Sequence, residues 1–146
     1  MPQATVTIRW VRCLNYDSAR NYSRVIYLHE WNARAFYWGK AHNSFFGGHK
    51  RKIGDLHASG RYNSGYRHWI EGCLQHGGKL YIGQLAGKDV HFISKIEQQL
   101  IREFGTVMNS RIEEPTSGMA ISHAGDIPEC IAFHHKRGIN IKSRKT

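Results

Sequence analysis

The sequence has few cysteines, no long apolar run and a shortage of acidic residues. Its three cysteines, Cys13, Cys73 and Cys130, are odd in number, lie far apart and form no CxxC pair. This spacing gives no support to a disulfide framework or a zinc ribbon. The apolar runs are too short to span a bilayer, and the N-terminal residues lack the apolar region of a signal peptide. We therefore expect a soluble, cytoplasmic protein with no membrane partner.

The basic residues outnumber the acidic ones by a wide margin. The chain of 146 residues carries 21 Lys and Arg against 11 Asp and Glu, which leaves a formal net charge of +10. Such a field attracts and steers polyanions, so nucleic acid is the expected partner. A solvated basic surface is the alternative. With 40% of its residues hydrophobic, residues 1–146 are enough for a single domain with its own core.

Two apolar runs separated by a polar stretch predict a β-hairpin. Residues 25–28 (VIYL) and 35–38 (AFYW) are rich in β-branched and aromatic side chains, and residues 29–34 between them suit a turn. The hairpin places Tyr27 and Tyr37 on adjacent strands. Two tyrosines in a core meander are the alternative interpretation of the hairpin alone.

The rest of the pattern predicts two helices and further short strands. Ser64 is suited to cap a helix over residues 65–76 that ends at a Gly pair, and Asp89 to cap a second helix that ends at Gly105. The predicted strands outside the hairpin are residues 4–10, 79–85 and 131–133. We expect an α/β (α+β) fold with a small, mainly antiparallel three-stranded sheet flanked by helices and an irregular C-terminal extension.

A carboxylate interrupts the apolar stripe of the second helix. That stripe runs from Phe92 to Phe104, and Glu97 lies four residues after Ile93 and three before Leu100. This spacing predicts that Glu97 faces inward. A buried carboxylate is costly unless it is paired or binds a metal. The alternatives are a boundary residue that reaches solvent or an ion pair with an arginine.

The order of these residues resembles the GIY-YIG nuclease family. Residues 25–27 (VIY) correspond to the first tripeptide and residues 37–39 (YWG) to the second, with Glu97 and then Asn109 following as in the family. The resemblance covers residues 24–111, which we expect to form the catalytic core, followed by residues 112–146 as an extension with a basic tail. The chain departs from the family by Val25 and by Trp38 in the two tripeptides.

The resemblance implies the roles of the site residues. Glu97 would hold one Mg²⁺ or Mn²⁺ per active site, Tyr27 would act on the attacking water, and Tyr37 would orient water or phosphate. Lys40 lies close enough in sequence to lower the pKa of a tyrosine, and His49 is a second possible base. Two arginines, Arg51 and Arg61, are both candidates for the phosphate-binding arginine of the family, with Arg61 slightly favoured.

These features predict a metal-dependent DNA endonuclease of the restriction or phage type, acting on duplex DNA as a homodimer or higher oligomer. A non-catalytic nucleic-acid-binding protein is the principal alternative, and a nuclease directed at RNA is a weaker one. The expected DNA contacts outside the catalytic set are Lys50, Lys52, Tyr66, Arg67, Asn109, Lys136 and Arg137.

Overall fold

The computed structural model describes residues 5–46, 64–109 and 118–133. Its strands are β1 (Thr5–Cys13), β2 (Ser23–Trp31), β3 (Arg34–Phe45), β4 (Lys79–Leu85) and β5 (Ala120–Gly125). Its helices are α1 (Tyr16–Ala19), α2 (Ser64–Gln75) and α3 (Ile93–Phe104), with a 3₁₀ segment at Gly87–Phe92 directly before α3. A further helical turn covers residues 129–133.

One mixed sheet contains all five described strands, in the order β3-β2-β4-β1-β5. The three pairings among β3, β2, β4 and β1 are antiparallel, whereas β5 runs parallel to β1. The prediction of a mixed α/β architecture is confirmed. The prediction of a three-stranded sheet is wrong, because β1 and β5 extend it on the far side of β4. The architecture is therefore not the GIY-YIG-like fold that was expected.

The predicted hairpin is confirmed, but its turn is much shorter than expected. Only Asn32 and Ala33 separate β2 from β3, and both have positive φ angles, of 51° and 59°. Positive φ at both central residues matches the right-handed twist of the flanking strands, and asparagine tolerates it well. The predicted turn failed because its polar residues His29 and Glu30 are buried strand residues, 5% and 2% exposed.

The two faces of the sheet carry separate cores. On one face, which we call the α3 face, Ile26, Leu28 and Trp38 pack against Ile96 and neighbouring residues of α3. On the opposite α2 face, Val25, Tyr27 and Ala41 pack with Ile70 of α2. Because successive side chains of a strand point to opposite faces, the strand register assigns the paired residues of the hairpin to one face or the other.

Both long helices lie where the sequence predicts them, with small differences at their ends. In α3, Ile93, Ile96, Leu100 and Ile101 are buried, whereas Phe92 is 40% exposed and lies before the helix. Asp89 lies inside the 3₁₀ segment and does not cap α3. Ser64 is the first residue of α2 and does not precede it.

The C-terminal part of the described chain departs most from the prediction. Residues 131–133, expected as a strand, belong to a helical turn whose first hydrogen bonds go to the Pro128 carbonyl. The strand β5 had no recognisable sequence pattern. Its backbone pairs with β1, more than a hundred residues earlier, and Thr7 and Ser122 share a hydrogen bond of 2.9 Å there.

Candidate functional site

Glu97 faces inward from α3, as its spacing predicts. The residue is 7% exposed, and its Oε1 atom lies 3.2 Å from the Nζ atom of Lys40 on β3. The Lys40 side chain is 36% exposed and that of Glu97 only 10%, so the ammonium group links the buried carboxylate to solvent. In this half-buried setting the pair attracts more strongly than a fully solvated one.

Hydrogen bonds at Trp38 fix the position of β3, the strand that carries Lys40. The amide of Asn109 accepts a hydrogen bond from the Trp38 backbone N–H (2.9 Å) and donates one to the Trp38 carbonyl (2.7 Å). The Asn109 Oδ1 atom also accepts from the Thr106 hydroxyl. The indole N–H of Trp38 donates to the Gly105 carbonyl at 2.8 Å. These bonds occupy the amide of Asn109 within the protein, where we had expected it to contact DNA.

The two tyrosines lie on the other face of the sheet. Tyr27 pairs with Gly39 and Tyr37 with His29, which places all four on the α2 face. Tyr27 is 0% exposed, and its ring lies 6.2 Å from that of Tyr37. A Cβ atom added to Gly39 would lie 2.2 Å from the Tyr27 ring, so the glycine makes room for this ring.

The structure therefore brings together only some of the predicted site residues. Glu97 and Lys40 form one pair on the α3 face, and Tyr27 and Tyr37 form another on the α2 face. Seven other predicted site residues lie outside the described residues: His49, Lys50, Arg51, Lys52, Arg61, Lys136 and Arg137. Tyr66 and Arg67 lie on α2, but only their backbone is described.

Sequence reasoning missed two buried titratable residues at the end of the hairpin. Burial lowers the pKa of His29 to about 3, so the imidazole is neutral at physiological pH. Burial also raises the pKa of Glu30. The Oε2 atom of Glu30 accepts from the Cys130 backbone N–H at 2.7 Å, while its buried Oε1 atom has no hydrogen-bond partner among the described residues. Asn32 was the sequence signal for their burial, because asparagine suits a two-residue turn. A turn of that length would extend β2 to include His29 and Glu30.

The donor set at Glu97 suits one hard divalent cation. Mg²⁺ usually binds proteins through one or two carboxylates and completes its shell with water and substrate phosphate. Glu97 offers one inward-facing carboxylate to such a cation, and Lys40 contacts that carboxylate in this structure. Within residues 5–46, 64–109 and 118–133 no group of three or more His, Cys, Asp or Glu side chains is close enough to enclose a metal.

Comparisons with protein-family models, with curated proteins and with solved structures found no match to this chain. Among the described residues, no helix has both the length and the apolar character needed to cross a bilayer.

Proposed function

We propose that the chain hydrolyses phosphodiester bonds of duplex DNA with the help of one Mg²⁺ or Mn²⁺ held at Glu97, as a restriction- or phage-type endonuclease does. The observation that carries this proposal is the Lys40–Glu97 pair, which joins a nearly buried carboxylate to a half-exposed ammonium group at 3.2 Å. The pair belongs to a chain with a formal net charge of +10, which favours a polyanionic substrate.

The two residues have complementary parts in this reaction. A bound divalent cation supplies charge for the phosphate and lowers the pKa of a water molecule. The Glu97 carboxylate provides the negative charge that retains such a cation beside α3. The Lys40 ammonium would donate to a phosphate oxygen beside Glu97 and offset charge that develops in the transition state.

The tyrosines have different access to a substrate. Tyr27 is 0% exposed and its ring packs against Gly39. Any contribution of Tyr27 to cleavage would therefore be indirect, through the position of β3. Tyr37 is half-buried on the same edge strand and is accessible to nucleic acid that passes over this edge. The proposal keeps the GIY-YIG resemblance for the motif residues alone, because the five-stranded sheet differs from the expected fold.

The test is cleavage of long duplex DNA by the purified chain with Mg²⁺ or with EDTA. We expect cleavage with Mg²⁺, none with EDTA, and a loss of about 100-fold or more in the rate for Glu97→Gln. Glu103→Gln is the matched control, because Glu103 is an exposed carboxylate of the same helix. This control should cleave at the wild-type rate.

Two results would contradict the proposal. One is DNA that stays intact with every divalent cation, and the other is a Glu97→Gln variant that cleaves as fast as Glu103→Gln. Discrete fragments would indicate a sequence-specific enzyme, whereas a smear would indicate the same chemistry without sequence specificity.

A basic protein that binds nucleic acid without cutting it is the second candidate. The observation that favours it is the separation of Tyr27 and Tyr37 from Glu97 by the sheet, because a water-activating tyrosine would then be remote from the carboxylate. Retarded migration of intact DNA in the cleavage assay, with and without metal, would support this candidate.

A further inference from the structure

The four tryptophans of the chain fall into two classes. Trp10 and Trp38 are 1% and 0% exposed, and the indole N–H of each donates a hydrogen bond, to His123 and to Gly105 respectively. Trp31 is only half-buried, and Trp69 is 36% exposed. The part of Trp69 that stays exposed adds nothing to folding through burial, so we ask whether it contacts a ligand.

The exposed class forms one surface with Phe36. The ring centroid of Phe36 lies 6.1 Å from that of Trp31 and 6.5 Å from that of Trp69. We call these three residues the aromatic patch. A bulge builds it, because the register shifts between His29 and Glu30 and leaves Phe36 as an extra residue of β3. The shift brings Phe36 to the same side of the hairpin as Trp31.

The aromatic patch is packed closely on its inner side and keeps exposed surface on its outer side, where Trp69 is 36% exposed. The planes of neighbouring rings are tilted by 43° and 49°, and the cleft between the hairpin and α2 has a volume of only about 10 Å³. That volume holds about one water molecule. A planar ligand would therefore lie on the outer face of the rings, where Trp69 is exposed, and would not enter the cleft.

The charges around the aromatic patch favour an anionic ligand. Arg34 is exposed and pairs in register with Trp31 at the end of the hairpin. Lys79, which lines the cleft, forms an ion pair with Glu129, so Arg34 is the residue that we assign to an anionic ligand. Glu30 also borders the cleft, but it is only 2% exposed, and its carboxylate accepts a hydrogen bond from the Cys130 backbone on the α3 face. His29, whose ring lies 5.0 Å from Trp69, is neutral because burial lowers its pKa to about 3. An exposed arginine beside an accessible aromatic ring is a combination that single-stranded nucleic acids bind.

We propose that the aromatic patch is a stacking site for an unpaired nucleobase, with Arg34 beside it for the adjoining phosphate. The inference rests on the proposed function, since it takes nucleic acid as the partner, and it adds that the protein engages unpaired nucleotides in addition to the duplex. Every base has a π-face, so the site accepts any of the four bases.

The experiment measures binding in EDTA, where cleavage does not interfere. A fluorescently labelled oligo-dT and a duplex of equal length are titrated with wild type and with Trp69→Leu, and binding is followed by anisotropy. We expect Trp69→Leu to lower the affinity for the single strand by about tenfold, because one base would lose its stacking partner. Duplex affinity should change by less than about twofold, because it depends on phosphate contacts.

Two control variants separate stacking from loss of structure. Phe92→Leu removes another exposed ring, 40% exposed, at the start of α3, and it should bind both nucleic acids as wild type does. Trp69→Phe keeps an aromatic ring and should retain most of the single-strand affinity. Oligo-dT should also quench tryptophan fluorescence of wild type more than that of Trp69→Phe.

Wild-type affinity of Trp69→Leu for the single strand would overturn the inference. An equal loss for single strand and duplex would overturn it as well, and so would an equal loss in Phe92→Leu. The two proposals fail separately. If binding depends on Trp69 but no DNA is cleaved, only the proposal of hydrolysis at Glu97 is contradicted. If DNA is cleaved but binding does not depend on Trp69, only the stacking site is contradicted.

Discussion

Two buried carboxylates lie on the α3 face of the sheet, and they are held in opposite ways. Glu97 is 7% exposed and contacts the ammonium group of Lys40, whereas Glu30 is 2% exposed and accepts one hydrogen bond from the Cys130 backbone. Burial raises the pKa of Glu30, which favours its protonated form. An opposite charge within contact distance favours the charged form of a carboxylate, whereas burial favours its protonated form.

The α2 face contains a further buried titratable group, the imidazole of His29, which is a base. His29 is 5% exposed, and burial lowers its pKa to about 3. In the unfolded chain the same imidazole titrates near 6.5. Burial thus shifts one pKa toward the neutral form on each face, upward for Glu30 and downward for His29, whereas Lys40 and Glu97 are a pair of opposite charges.

The largest effect on stability that we predict comes from His29. The unfolded state binds a proton below about pH 6.5 that the folded state binds only near pH 3, so stability is complete above the unfolded pKa and falls as the pH decreases. Between pH 6.5 and pH 5 the loss is about 2 kcal/mol, at about 1.4 kcal/mol per pH unit. In His29→Phe this part of the pH dependence should disappear. Urea unfolding of both proteins at the two pH values measures it, and parallel losses would contradict the account.

Removal of the cation from the Lys40–Glu97 pair should have a smaller effect. Lys40→Met leaves Glu97 buried without its partner, and because the lysine is 36% exposed we expect a loss of about 1 kcal/mol at neutral pH. Lys40→Arg preserves the positive charge and is the matched control. Thermal unfolding should rank Lys40→Met below Lys40→Arg, and equal stability of the two variants would show that the pair contributes little.

The smallest change in stability should come from Glu30→Gln, and the direction of this change with pH tests the account. The folded pKa of Glu30 is raised above its usual value of about 4.5. Wild type therefore loses stability as the pH rises from 4.5 through the folded pKa, because the folded state resists ionisation. A glutamine does not ionise, so the variant should lose less stability between pH 4 and neutral pH than wild type does. Identical losses in both proteins would indicate that Glu30 is ionised at no cost in the fold.

Local patterns in the sequence were sufficient for several elements of the fold. The strand at Lys79–Leu85 has the predicted bounds, since a Gly pair precedes it and its apolar run is continuous. The inward position of Glu97 also follows from helical spacing alone. In both cases, the decisive information lies within a few residues of the element, and helical or strand periodicity expresses it directly.

Features that depend on distant contacts could not be predicted in this way. The strand Ala120–Gly125 has little pattern of its own and is defined by parallel pairing with β1. The burial of His29 and Glu30 depends on packing from α2 and from the C-terminal helical turn, so their polarity was misleading. Asn109 is predicted as a DNA contact, and its position along β3, where its amide hydrogen bonds to the Trp38 backbone, depends on a contact with a residue 71 positions away in sequence. The separation of the tyrosines from Glu97 depends on strand register, which motif spacing does not specify.

The central claim is that the chemistry depends on the carboxylate that neutralises Lys40 and not on the other buried carboxylate of the same face. Cleavage of duplex DNA with Mg²⁺ by Glu97→Gln and by Glu30→Gln, each shown by circular dichroism to be folded, tests it most directly. The account predicts that Glu97→Gln loses about 100-fold or more in rate and that Glu30→Gln cleaves at nearly the wild-type rate. Equal losses in the two variants, or full activity of Glu97→Gln, would contradict it.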